Sequence, residues 1–413
     1  MRTRNKWGWW AVAAVLAAAC GSAWQWGYAG PILSLALIPL VLLQNSRRSR
    51  FSVALAYYLA GSSGIPLASA VFFGPGGHWL EGVALWVSSS VLLSAGWAFV
   101  DRPWKAAGVL LFDALVPPLA FFDWMSPLSA AGVLFPDCGL FGVVLMLGLL
   151  SLLPVLLSAA SMARNRAYPF LLLLIPLLAN GLYLSFPAAH HPDKTIRGIN
   201  LHLGPSTHSI LANFQHLQSW VAVADQHKKA KVLLLPETLL TWWPGNAHYI
   251  EQHVPQGVAP GRVAPGMGQT WLVGASIPLK KGLFADGIEA VTNHALAGST
   301  RSKMIFASVL PVPVSMWRPW HTPAGDSFGR MDYKAFWWQK PVRLDGKTVW
   351  ASICYDQLLP FSWLEASLYQ PDVILLTNNV WWAKGTGIPS IQRASSWAWG
   401  RLTGSTEIEA ENA

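Results

Sequence analysis

Val349-Trp350-Ala351-Ser352-Ile353-Cys354-Tyr355-Asp356 is an apolar run that stops on a thiol, with Pro360 close behind. It reads as a buried strand that ends at a sharp turn. A second run, Val232-Leu233-Leu234-Leu235-Pro236-Glu237-Thr238, ends in the same way on one carboxylate. The second run has no polar alternation, the pattern of a strand covered on both faces. Ile196–Leu203, Trp271–Ile277 and Val373–Thr377 read as further strands. Ser209–Lys228 places Leu211, Phe214, Leu217, Val221 and Ala224 at helical spacing, and Ile391–Leu402 reads as another helix. Strands alternating with helices predict an α/β domain. Gly257–Gly268, rich in Gly and Pro, reads as a loop.

The first half of the chain is different. The whole sequence of 413 residues is 53% hydrophobic and only 12% charged, and its mean hydropathy is +0.36. Soluble domains carry about 25% charged residues. Residues 1–186 hold ten Lys/Arg and five Asp/Glu, against nineteen and fifteen in residues 187–413. Residues 1–187 therefore read as an α-helical membrane bundle, and 188–413 as a globular domain able to bury its own core. Seven apolar segments are readable, at 7–27, 28–45, 51–73, 79–100, 104–122, 139–162 and 167–187. The second is short and broken by Pro31 and Pro39.

Charge sets the expected orientation. Arg2, Arg4, Lys6, Arg47, Arg48, Arg50, Arg102, Lys105, Arg164 and Arg166 all fall on one side if the segments alternate. That side is cytoplasmic by the positive-inside rule, so the N-terminus is cytoplasmic and the domain after residue 187 lies outside, in the periplasm of a bacterial inner membrane. Glu81, Asp123 and Asp137 fall in the opposite loops. This accounts for the formal charge of +9 without nucleic acid, for which the globular half offers no basic, aromatic-interleaved run. Three cysteines give no disulfide framework. Ala17-Ala18-Ala19-Cys20 loosely resembles a lipoprotein processing site, but Trp9 and Trp10 are heavy for a cleaved leader. Asp113 sits mid-segment, either bonded to a neighbouring helix or serving a function of its own.

Two strand ends with one carboxylate and one thiol suggest a general base and a nucleophile. Glu237 would remove the proton of Cys354, which would attack an acyl carbon to form a thioester. The plainer alternative is a small buried core thiol and a solvated turn glutamate. Leu235-Pro236-Glu237 and Ile353-Cys354-Tyr355-Asp356 resemble the glutamate and cysteine motifs of the nitrilase (carbon–nitrogen hydrolase) superfamily. Val273-Gly274-Ala275, Leu376-Thr377-Asn378-Asn379-Val380-Trp381-Trp382 and Gln392–Gly404 resemble the superfamily's later segments in the same order. A nitrilase domain on a membrane bundle is similar to apolipoprotein N-acyltransferase. Pro311-Val312-Pro313-Val314-Ser315-Met316-Trp317 looks more like the conjugal-transfer TraB proteins, relatives of that enzyme carried on transmissible plasmids.

The resemblance implies a four-layer αββα sandwich, Glu237 as base, Cys354 as nucleophile, Asp356 as a supporting residue, and no metal or cofactor. It implies a phospholipid acyl donor and an amine acceptor on a protein or peptide, with conjugation proteins as partners. The superfamily's Lys has no counterpart in register. Phe306 or Ser308 falls at its place, and Lys303 fits only if the alignment shifts. Glu407, Glu409 and Glu411 stand where the superfamily continues into an apolar strand, so the domain is expected to be C-terminally truncated, leaving a sheet edge exposed. Two functions follow: a membrane-bound acyltransferase or amidase, and an inactive scaffold of the conjugation machinery.

Overall fold

The computed structural model describes residues 4–73, 78–162, 167–185, 195–204, 210–227, 230–241, 243–254, 268–294, 299–321 and 331–413. Residues 257–267 of the expected loop, and Arg2, Arg164 and Arg166, lie outside them. The chain divides into two compact units. One comprises residues 1–190, 358–370 and 383–405, the other 191–357, 371–382 and 406–413.

The first unit is helical. Its N-terminal helices are α1 (Arg4–Ser22), α2 (Gly30–Ser34), α3 (Leu37–Leu42), α4 (Arg47–Gly61), α5 (Ile65–Phe72), α6 (Trp79–Ala95), α7 (Pro103–Leu115), α8 (Ala130–Leu134), α9 (Gly139–Met162) and α10 (Ala167–Ser185). Each of the seven apolar segments contains helix, and the Pro-broken second one is the short pair α2 and α3. Among the described residues, Trp79–Phe99 alone is long and apolar enough to cross a membrane as one helix. Arg47–Phe72, bent by 44°, and Pro127–Leu152, bent by 109°, pass the same test only as pairs.

The segment between α7 and α9 is not an open loop. Asp123, Met125, Ser126, Leu128 and Ser129 are all buried, and α8 packs against a helix from late in the chain. The late helices are α11 (Ile210–Asp225), α12 (Trp243–His253), α13 (Pro360–Tyr369) and α14 (Ile388–Thr403). Of these, α13 and α14 belong to the helical unit. Trp363 and Trp399 stack there at 6.5 Å and 6°. Gly132 on α8 meets α14 so closely that a Cβ would lie 1.7 Å from the Ala398 carbonyl oxygen.

The second unit holds two mixed sheets. The strands are β1 (Ile196–Gly198), β2 (Val232–Leu234), β3 (Thr270–Pro278), β4 (Leu283–His294), β5 (Ser299–Ala307), β6 (Asp332–Tyr333), β7 (Val342–Leu344), β8 (Lys347–Ile353), β9 (Val373–Asn379) and β10 (Thr406–Asn412). One sheet runs β1-β2-β3-β4-β5, with β6 on β4, and the other β10-β9-β8-β7. The buried runs read from the sequence form the parallel parts β1-β2-β3 and β8-β9, and β10, not read as a strand, extends the second in parallel. The long β4–β5 hairpin adds antiparallel pairing. Trp220 and Val221 of α11 and Trp243 and Ile250 of α12 pack on one face of the first sheet. Its other face, through Leu234, Leu272, Ile288 and Phe306, meets Ile353, Leu375, Ile408 and Ala410 of the second sheet.

The acidic tail is itself a strand. Ile408, Ala410 and Asn412 are buried, while Glu407, Glu409 and Glu411 alternate with them. This strand, β10, pairs in parallel with β9 and is the end strand of its sheet. Leu201 caps the far side of β10, donating to the Glu411 carbonyl at 2.8 Å and accepting from Ala413 at 3.0 Å.

Gly132→Ala forces a methyl into the Ala398 carbonyl. We expect it to cost about 1–3 kcal/mol, read as a lower thermal midpoint of the solubilised full-length protein.

Candidate active site

Strand β8 ends on Cys354, whose φ of 47° is left-handed. A residue with a Cβ pays roughly 1–3 kcal/mol for such strain, so the surroundings must hold it. The chain then turns in a short 3-10 helix, Cys354–Leu358. Asp356, fully buried, fixes this turn. It accepts from Ser308 Oγ at 3.0 Å, Val309 N at 3.0 Å, Leu310 N at 2.9 Å and Ile353 N at 3.4 Å. The segment after β5 is thereby tied to the turn after β8.

Glu237 follows β2, and the end of β9 positions it. Thr377 Oγ1 donates to the Leu235 carbonyl at 3.1 Å, Asn379 N to Glu237 Oε2 at 3.0 Å, and Asn379 Nδ2 to the Glu237 carbonyl at 3.2 Å. Trp382 Nε1 donates to the Asn379 carbonyl at 2.7 Å, fixing that strand end in turn. Gly274 on β3 leaves room beneath, since a Cβ there would lie 2.2 Å from the Pro236 carbonyl oxygen and 2.6 Å from Glu237 Cα.

The Cys354 thiol donates to Glu237, and Glu237 is hydrogen-bonded to Asp286 of β4. Thr238 Oγ1 donates to Asp286 Oδ1 at 3.0 Å. Burial and then the Asp286 charge push the Glu237 carboxyl well above its usual range. Burial raises Asp286 to about 6. Two buried carboxyls in one hydrogen bond share a proton, because both cannot ionise side by side. Burial and then Glu237 push the Cys354 thiol well up, so it rests protonated. The strongest charged neighbours of Cys354 are all carboxylates: Glu237, Asp286 and Asp356. Burial also lifts Asp356 to about 7, against the pull of the Leu310, Val309 and Ser308 hydrogen bonds.

Glu237, Cys354 and Asp356 are therefore brought into one buried group. Lys303 is not part of it. Its side chain is exposed on β5, opposite Ala290 of β4. Of the residues at the superfamily's Lys position, Phe306 lies in the core between the sheets and Ser308 bonds Asp356. Among the described residues no group of three or more His, Cys, Asp or Glu side chains could hold a metal ion. Sequence reading missed Asp286, Thr238 and the role of Asn379. The one available signal was a lone acid in the run Phe284-Ala285-Asp286-Gly287-Ile288.

No family model matches the chain. It is 29% identical over 394 residues to a protein of Sinorhizobium fredii (strain NBRC 101917 / NGR234) named "Probable conjugal transfer protein TraB", covering 91% of each chain. It is 27% identical over 437 aligned positions to the "Conjugal transfer protein TraB" of Agrobacterium fabrum (strain C58 / ATCC 33970), covering 99% of this chain and 94% of that one.

Two measurements check the site. Between the ordinary carboxyl value of 3.8 and folded values of about 6 for Asp286 and about 7 for Asp356, the folded state binds more protons than the unfolded one. Stability should therefore fall as pH rises through that window, and the raised Glu237 carries the fall beyond it; denaturant titrations across the range check this. Gly274→Ala should displace Glu237 and raise Cys354 reactivity or exposure, read by the rate of thiol alkylation.

Proposed function

We propose that this chain is a membrane protein of plasmid conjugal transfer whose α/β unit transfers acyl groups through a Cys354 thioester. The observation that carries the reading is a strained, turn-held thiol hydrogen-bonded to a buried carboxyl. Glu237, having passed its proton to Asp286, takes the thiol proton as sulfur attacks the carbonyl carbon of a phospholipid ester. The C–O bond breaks, and the lysophospholipid oxygen leaves with the proton from Glu237. An amine on a protein or peptide then attacks the thioester, loses its proton to Glu237, and expels the thiolate. The names of the two relatives support the association with conjugation, and conjugation proteins are its partners on this reading.

The finer architecture belongs to the same proposal. Seven spans place the N-terminus in the cytoplasm and the α/β unit in the periplasm. The one-sided basic residues support this. A four-layer αββα arrangement is part of the same reading; the two facing sheets, with α11 and α12 packed on the outer face of one, support it.

An inactive scaffold is the second reading. It is favoured by the carboxylates that dominate the thiol's surroundings where a cation would stabilise an oxyanion. Cys354→Ala separates the two. On the catalytic reading the variant loses both the acyl-protein adduct seen by intact mass and plasmid transfer in mating assays. On the scaffold reading the wild type carries no adduct and the variant transfers normally. Activity on the first reading rises with pH as the shared proton is lost. Asp286→Asn should move that rise toward acid by about one pH unit, roughly the scale of one strong charge neighbour.

A further inference from the structure

A second pair of carboxyls lies in the helical unit, far in sequence from Cys354. Asp113 is on α7, and Asp123 is in the buried segment that follows it. Each is 1% exposed. The two are close enough to act on each other, and both act on Tyr58 of α4. All four carboxyl oxygens are buried with no hydrogen-bond partner. Ser126 approaches Asp123 and can turn its hydroxyl proton toward that carboxyl while its oxygen accepts from Leu128 N at 3.4 Å.

The groups around the pair offer no charge to balance it. Tyr58, 1% exposed, accepts from Trp97 Nε1 at 3.3 Å, and its own proton has no acceptor among the described residues. Tyr57 accepts from Trp24 Nε1 at 2.9 Å and donates to the Met125 carbonyl at 2.8 Å. Cys20 of α1 lies near Tyr57, and the buried Glu365 sits on α13, which packs on α7. Of the basic residues there, Arg48 is exposed and three others are engaged elsewhere. Arg50 donates to the Gln44 carbonyl at 3.0 Å, Lys105 pairs with Asp101 at 2.7 Å, and Arg47 lies over the Phe99 ring. Gly96, just after α6, faces Val109 and Asp113 of α7. A Cβ there would sit 3.9 Å from Asp113 Oδ1.

Two carboxylates cannot both stay ionised in an apolar interior without donors. We propose that Asp113 and Asp123 form a proton-binding site inside the helical unit, in which at least one of the two buried carboxyls carries a proton, with Tyr58 near both. The site is chemically a protonated carboxylic acid in an apolar setting, so it is also a modification site for hydrophobic carbodiimides. The acid O–H adds across one C=N bond of the carbodiimide. The resulting O-acylisourea rearranges to a stable N-acylurea, so no further reactant is needed.

The test uses the full-length protein in membranes. Dicyclohexylcarbodiimide should modify the peptide containing Asp113 or Asp123 near neutral pH, and less so as pH rises; a water-soluble carbodiimide should not. Asp113→Asn and Asp123→Asn should each abolish or redirect the label while leaving the thermal midpoint near that of the wild type. Infrared difference spectra, wild type minus the double Asn variant, should show a protonated-carboxyl band at neutral pH that disappears at high pH. Absence of that band overturns the proposal even if the reagent fails to enter. Protection from labelling by sodium ions at constant pH also overturns it, because the ligand would then be a metal cation.

Discussion

The Asp356 carboxylate is the constraint on which the α/β unit's site depends. It gathers three donors from the segment after β5 and one from the end of β8. Strand pairing alone leaves these two chain segments in different sheets. Each buried donor left without its acceptor would cost about 1–3 kcal/mol. Those bonds offset the strain at Cys354 and hold its thiol where Glu237 can meet it. The end of β9 does the corresponding work for Glu237, through Thr377 and Asn379. The site is thus built at the rim where two sheets are stitched together, held by backbone amides together with the short side chains of Ser308, Thr377 and Asn379.

Its electrostatics are unusual for a nucleophilic thiol. Reactive cysteines are normally lowered in pKa by a cation or a helix N-terminus. Here burial and carboxylates raise the thiol instead. Such a thiol can react only if its proton leaves as sulfur attacks. That makes the Glu237–Asp286 proton the controlling element.

The strand ends carrying Glu237 and Cys354 were legible because each closes a run of unbroken apolar residues. That the first half is helical was legible for the same reason. Asp286 was not, since it lies in a hairpin whose polar alternation hides it among ordinary surface-strand residues. The strand Thr406–Asn412 was not legible because its acids mask the buried Ile408 and Ala410 between them. Asp123 read as a loop residue because no periodicity announces a segment that folds back. Lys303 matched a motif by residue type, but the strand register leaves its side chain exposed. Periodicity reports which face of an element is apolar, and tertiary pairing decides what covers it.

The affiliation of α13 and α14 bears on how this architecture could arise and change. Both helices connect neighbouring strands of the second sheet, yet they pack with the N-terminal helices, burying Trp363 and Trp399 there. A cut near residue 187 would therefore not release a self-contained module. It would leave two helices attached to the sheet with their apolar faces stripped of partners. The two units are interlaced along the chain, so neither can be exchanged by simple recombination at one point. Sequence drift in the helical unit must stay compatible with residues more than two hundred positions away, as the hydrogen bond from Arg401 to Asn180 shows, joining residues 221 positions apart.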